Sequence, residues 1–279
     1  MQVLKIMKIL LATFSLERRA GSETWTMTMF HQLKKMGHTV DVFVKSNDGN
    51  NLIDATCDKN TKYDIAIINH NVCLTDLATW DIKRRIFTSH GPTTELEQPV
   101  HGADVYVAVS EEVQENLTVK GFSSIVIRNP INTEDFSQVK PSKTLKKILW
   151  MNNRKPTDEM IIPASEGYEY RTQWGWRSDV KENIQWADLV ITSGRGVYEA
   201  LSCGKNAMVV NWCGCDGMVT EKTILEFKKK NCSGRTVGAF WPPERIREEF
   251  SKYDVNRNLR PYILENNNIA TIARRYLDL

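Results

Sequence analysis

The stretch Trp186–Lys205, "WADLVITSGRGVYEALSCGK", carries a run of apolar residues that ends in Gly-Arg-Gly and then turns helical. Leu189, Val190 and Ile191 form a short apolar run bounded by turn formers, the pattern of a buried strand. Val197, Ala200 and Leu201 then recur at helical spacing, and Gly204 stands where helices commonly stop. Arg195 is therefore predicted on a strand-to-helix turn, beside a helix N-terminus whose unbonded N–H groups attract anions. A structural turn with a solvated arginine fits this stretch equally well.

The same alternation extends towards the N-terminus. "KIMKILLATF" reads as a strand, "SETWTMTMFHQLKKMG" as a helix with Trp25, Met29 and Leu33 on one face, and "HTVDVFVK" as a second strand. "YDIAIINHN", "RRIFTSHG" and "ADVYVAVS" follow as strands, then a helix "EEVQENLTVKG" capped by Ser110, then a strand "SIVIRNP". Val/Ile-rich strands separated by helices describe a parallel sheet covered on both faces. "NTEDFSQVKPSKTLK" is polar and lacks periodicity, as a linker does, and the alternation restarts at "KKILWMN". The expected fold is α/β, with two doubly wound Rossmann-like domains at 1–137 and 138–279, the second shortened. The last helix, "NNIATIARRYLDL", is a candidate to pack back on the first domain. Ligands in such sheets bind at the C-terminal ends of the strands.

Composition sets the outer limits. The 279 residues are 41% hydrophobic and 25% charged, ordinary for a globular chain. No apolar run approaches the roughly 20 residues that cross a bilayer. Lys5 and Lys8 interrupt the apolar N-terminus, which reads as a strand rather than a signal peptide. The six cysteines suit free thiols in a reducing cytosol, so a cytoplasmic location is expected. Cys213 and Cys215 lack a second pair at zinc-ligand spacing, and no metal site is expected. Residues 1–137 hold 14 basic against 17 acidic side chains, and residues 138–279 hold 23 against 17, a net of −3 and +6. A basic second half suits a phosphate-bearing ligand.

Four segments, in order, carry a family resemblance: "AGSETWTMTMFHQLKKMGHTVDVFV", "FTSHGPT", "ADVYVAVSEEVQENLTVKGFSSIVIRNPINTEDF" and "ADLVITSGRGVYEALSCGKNAMVV". In these the chain resembles the GT-B glycosyltransferases, in particular the large retaining group of cell-surface and lipopolysaccharide-type sugar transferases. It would be a compact member, on the scale of the phage enzymes that glycosylate hydroxymethylated DNA bases. The resemblance implies a hexosyl- or pentosyltransferase using a nucleotide-diphosphate sugar as co-substrate, with no metal or other cofactor. The acceptor would be a glycan, a lipid-linked sugar or a hydroxymethylated base in DNA.

Site roles follow from the same resemblance. Arg195, with the Gly196 and Val197 amides, would hold the diphosphate, and Arg154 and Lys155 fall where the family places its basic clamp. Glu199 matches the second acid of the paired-glutamate motif, directed at the donor ribose, while Ile191 occupies the position of the first. His90 would contact the transferred sugar or the reacting centre. Gly21, Ser22, Glu23 and His70 would line a ligand cleft, although Ser22 also reads as a helix N-cap.

Two features depart from the family pattern. Arg154 and Lys155 are adjacent, with Glu159 at the spaced position. The interval from Arg154 to Ala187 also reads as lacking the strand–helix–strand unit that usually holds the base. Its Tyr168, Tyr170, Trp174 and Trp176 could stack on a base or sugar, or seal a reduced domain. A non-catalytic nucleotide-sugar-binding protein or partner subunit is the competing class. A nicotinamide oxidoreductase is disfavoured, because no G-x-G-x-x-G follows a predicted strand.

Overall fold

The computed structural model describes residues 6–17, 21–46, 51–54, 56–154, 158–175 and 179–279. The chain divides into two compact units, residues 1–130 with 269–279, and residues 131–268.

The first unit runs β1 (Lys8–Thr13), α1 (Gly21–Lys35), β2 (Thr39–Val44), β3 (Ile65–Ile68), α2 (Asn71–Asp76), β4 (Arg85–Ser89), β5 (Val105–Ala108), α3 (Glu111–Val119) and β6 (Ile125–Val126). The strands lie in the order β2-β1-β3-β4-β5-β6 and every pairing is parallel. All four residues of β3 are buried, as a central parallel strand covered on both faces requires. Trp25, Met29 and Leu33 form the buried stripe of α1, each side chain contributing about 2–3 kcal/mol by leaving water. The strand predicted over "SIVIRNP" shrinks to two residues. Ile127 still donates its N–H to Ala108, but Pro130 has none to give.

The second unit runs β7 (Lys147–Asn152), α4 (Asp158–Ser165), β8 (Glu169–Trp174), α5 (Val180–Trp186), β9 (Leu189–Thr192), α6 (Arg195–Ser202), β10 (Asn206–Asn211), β11 (Gly214–Met218), α7 (Ile224–Phe227), α8 (Pro243–Glu249) and α9 (Arg260–Asn266). Its sheet has the order β11-β10-β9-β7-β8, parallel except for β11 against β10. The interval after Arg154 thus carries α4, β8 and α5, which corrects the expected absence of a strand–helix–strand unit. β8 escapes a pattern reading because it is an edge strand with its first four residues exposed. Tyr168 meets Phe250 edge-on at 5.6 Å between ring centroids, and Trp174 packs against the core, so these two aromatics seal the domain. Tyr170 is exposed on β8, and Trp176 lies outside the described residues.

Residues 131–137 sit in the second unit because Phe136 is bound there. Its side chain packs on that core, and its carbonyl accepts from Ser202 Oγ and from Arg260, each at 2.8 Å. The last helix, α10 (Ile269–Leu277), belongs to the first unit. Tyr276 packs edge-on against Trp25 at 5.4 Å, and its hydroxyl lies 3.1 Å from Thr88 Oγ1. Among the described residues no helix is long and apolar enough to cross a membrane.

Candidate functional site

Each sheet reverses its direction of winding once, between β1 and β3 in the first unit and between β7 and β9 in the second. Loops diverge there at the carboxyl ends of the strands and leave room for a ligand. Both reversal points are tied across by one side chain.

In the second unit Asn152, the last residue of β7, accepts from Ser193 Oγ at 3.0 Å and donates to the Val210 carbonyl at 3.1 Å. Three strand ends are joined by that amide. Gly194 follows with φ 58° and ψ −130°, a conformation that a side chain would strain, and donates its N–H to Cys232 at 2.8 Å. The accepting loop is itself left-handed at Asn231 and Cys232, with φ 52° and 50°. Gly196 lets α6 settle on the strand ends: a Cβ there would stand 2.4 Å from Thr192 Oγ1 and 2.8 Å from Met151 Cε.

This arrangement starts α6 at Arg195, the first of eight helical residues. Arg195 Nε donates to Glu199 Oε1 at 2.6 Å, and both side chains are nearly buried. Burial pushes the Glu199 carboxyl above the ordinary range, and the Arg195 charge opposes that rise. The two residues expected to act separately on the donor are therefore partnered with each other. Val197 N–H already donates to the Gly194 carbonyl at 3.2 Å, so its amide is engaged within the turn. Ile191, where the resemblance expects an acid, is fully buried in the core. Arg154 is exposed beyond β7, its guanidinium 4.3 Å from the ring centre of Trp212. Lys155 lies outside the described residues, and Glu159 is exposed on α4.

In the first unit His70 ties β1 to β3. Its Nδ1 accepts the Phe14 N–H at 2.9 Å and lies 3.2 Å from Thr13 Oγ1. Burial lowers its pKa to about 4, so the ring is neutral with the proton on Nε2. The ring serves the backbone of the strand ends. His90, half-buried after β4, takes part in a directed chain. Thr26 Oγ1 donates to the Ser22 carbonyl at 2.8 Å and so accepts from Asn69 Nδ2, also at 2.8 Å. Asn69 Oδ1 therefore faces His90 Nε2 at 3.0 Å, which assigns the His90 proton to Nε2. Trp25 meets the His90 ring edge-on at 5.6 Å.

Gly21 is exposed at the start of α1, and Ser22 lies in the first turn rather than at the cap, its hydroxyl donating to Glu23 Oε2 at 3.1 Å. Burial raises the Glu23 carboxyl. Glu97, which the sequence reading passed over, stands 2.8 Å from where a Gly91 Cβ would sit. Its pKa rises to about 7, first by burial and then by the nearby Glu23 charge. Asn69 and Trp212 were also passed over, although each directly neighbours a strand end. Among the described residues no three His, Cys, Asp or Glu side chains converge as a metal site would.

No family model matches the chain, and no curated protein matches it in sequence. Solved structures do match. An alpha-glucosyltransferase in complex with UDP and a 13-mer DNA containing an HMU base aligns with TM-score 0.62 and 11% identity, over 98% of this chain and 99% of that one. AviGT4, a glycosyltransferase involved in avilamycin A biosynthesis, aligns with TM-score 0.60 and 13% identity, over 98% and 96%. A UDP-GlcNAc 2-epimerase from Neisseria meningitidis bound to UDP-GlcNAc aligns with TM-score 0.55 and 12% identity, over 98% and 99%. With its two mostly parallel sheets and alternating helices, the chain has the GT-B fold of glycosyltransferases such as the first two of these structures.

Proposed function

We propose that this protein is a glycosyltransferase that moves a sugar from a nucleotide-diphosphate sugar to an acceptor hydroxyl, with retention and without a metal. The observation that carries the reading is Arg195 at the first turn of α6, held at the reversal point of the second sheet with Glu199 one turn along. The bond from the anomeric carbon to the diphosphate breaks with its electron pair leaving on the phosphate. That charge is met by a fixed guanidinium and a helix N-terminus, which need no reorganisation as it develops. Arg154 adds a second cation at the end of β7. The bond to the acceptor oxygen forms at the same carbon, and the hydroxyl proton leaves with the diphosphate. Glu199 suits the ribose hydroxyls, since a carboxylate accepts from both. The DNA bound to one structural neighbour supports a hydroxymethylated base as acceptor, beside a glycan or lipid-linked sugar.

Thermal unfolding against nucleoside diphosphates and nucleotide sugars tests this, with the Arg154→Ala variant alongside. A ligand at about a hundred times its dissociation constant adds about 2.7 kcal/mol, a shift of several degrees. One nucleotide family should stabilise wild type and do so less for Arg154→Ala. No shift from any member of the panel would sink the proposal. Ile191 in place of the first acid favours a second reading, a non-catalytic nucleotide-sugar binder or partner subunit, and the epimerase neighbour adds another chemistry on the same fold. Product analysis after incubation with donor and acceptor separates transfer, epimerisation and inert binding.

A further inference from the structure

Gln173 is the fifth residue of β8, at the C-terminal end of that strand, and only 4% of it is exposed. Side chains alternate along a strand, so Gln173 shares a face with Arg171 and with its register partner Met151. Both neighbours identify that face. Arg171 donates to Asn183 on α5, and Met151 reaches the start of α6, where its Cε crowds the Gly196 position. Gln173 therefore lies beyond Met151, on the face that also carries Gly196 and the first turn of α6.

The orientation of its amide follows from groups that have only one hydrogen-bonding role. A guanidinium can only donate, so Asn183 Oδ1 accepts from Arg171 at 3.2 Å. Of the two Asn183 Nδ2 hydrogens, one is shared between the carbonyl and Oδ2 of Asp179, each at 3.1 Å, and the other goes to Gln173 Oε1 at 3.1 Å. With Oε1 engaged, the Gln173 Nε2 group is left with two N–H donors, buried and without an acceptor. A buried donor lacking its partner is costly, and in a network otherwise satisfied it marks the place of an absent acceptor.

We infer that Gln173 reads the base of the bound nucleotide and selects one that presents a carbonyl oxygen (uracil, thymine or guanine) over one that presents an amino group there (cytosine or adenine). The inference rests on the nucleotide-donor reading above. A nucleotide laid along this face has its diphosphate at the first turn of α6, its ribose by Glu199, and its base towards the edge strand β8. A carbonyl completes the Gln173–Asn183–Asp179 network. An amino group sets donor against donor and leaves both unpaired.

The test is calorimetric titration of UDP, CDP, GDP and ADP into wild type, Gln173→Glu and Gln173→Met. Wild type should bind UDP over CDP, and GDP over ADP, by about tenfold or more. Gln173→Glu, whose carboxylate accepts from an amino group, should narrow or invert both preferences, and Gln173→Met should level them. If wild type binds UDP and CDP within about twofold, or Gln173→Glu keeps the wild-type preference, the role of Gln173 is overturned while the donor reading stands. If wild type binds none of the four, the donor reading itself falls and the inference with it.

Discussion

Arg195 and Glu199 face each other across one turn of α6, Nε to Oε1 at 2.6 Å, with side chains 14% and 8% exposed. Any phosphate that engages Arg195 would meet a guanidinium already oriented by this carboxylate.

The two partners differ in what they can do when left alone. Glu199→Ala removes the carboxylate that Arg195 Nε donates to, and a guanidinium cannot discharge, so stability should fall at every pH, by up to about 3–5 kcal/mol. Arg195→Ala strands a carboxyl that can take up a proton, so its loss should be smaller and pH-dependent. Without Arg195 the folded pKa of Glu199 rises further above its unfolded value. The stability is then complete below the unfolded value and lost as pH rises through the folded one. Urea midpoints near pH 5 and near pH 8 check this; equal losses for both variants at both pH values would refute the asymmetry.

His70 gives the opposite slope. Its folded pKa of about 4 lies below the usual histidine value, so the ring is neutral in the fold and its contribution is complete above the unfolded value. As pH falls from about 6.5 towards 4, the unfolded chain binds the proton first and stability drains away, on the order of 3 kcal/mol in total. His70→Gln, whose amide oxygen can still accept from Phe14 N–H, should flatten this acid branch. Denaturant midpoints between about pH 4 and pH 7 measure it, and an unchanged slope in the variant would rule His70 out as the source.

How much of this was legible in the residues depends on burial. β3 and β9 are buried at every position, so each appears as an uninterrupted apolar run. β8 has four exposed residues at an edge, and β11, "GCDGM", pairs with β10 without β-branched residues, so neither carries a local signal. Arg195 was legible because Gly194 and Gly196 mark the turn around it. Its pairing with Glu199 is a four-residue spacing that only the burial of both makes consequential. Asn69, Glu97 and Gln173 were not legible, because each acquires its role from which strand ends and turns the topology brings together.

Gly196 tests how tightly α6 is seated. A methyl group there would meet Thr192 Oγ1 at 2.4 Å and Met151 Cε at 2.8 Å. Gly196→Ala should cost about 1–3 kcal/mol by overpacking, and should weaken nucleotide binding because Arg195 moves with the helix end. Thr192→Ala in the same chain should recover part of both. Thermal unfolding with and without nucleotide checks it; a single variant as stable as wild type would show that the helix end is free to shift.

His90 should separate binding from transfer. Its Nε2 proton is assigned by the chain running from the Ser22 carbonyl through Thr26 and Asn69. If the ring serves the transferred sugar, His90→Ala should lower turnover by about a hundredfold or more while leaving nucleoside diphosphate affinity nearly unchanged. Asn69→Leu keeps the branched side-chain shape, at a larger volume, but removes the carbonyl that orients the ring, and should lower turnover by a smaller factor, about tenfold. The pair is distinguished from a folding defect by unfolding free energies within about 2 kcal/mol of wild type. Transfer rates and nucleotide titrations on the same preparations decide the matter: an unimpaired His90→Ala enzyme would give this histidine a structural role beside Trp25 and Asn69.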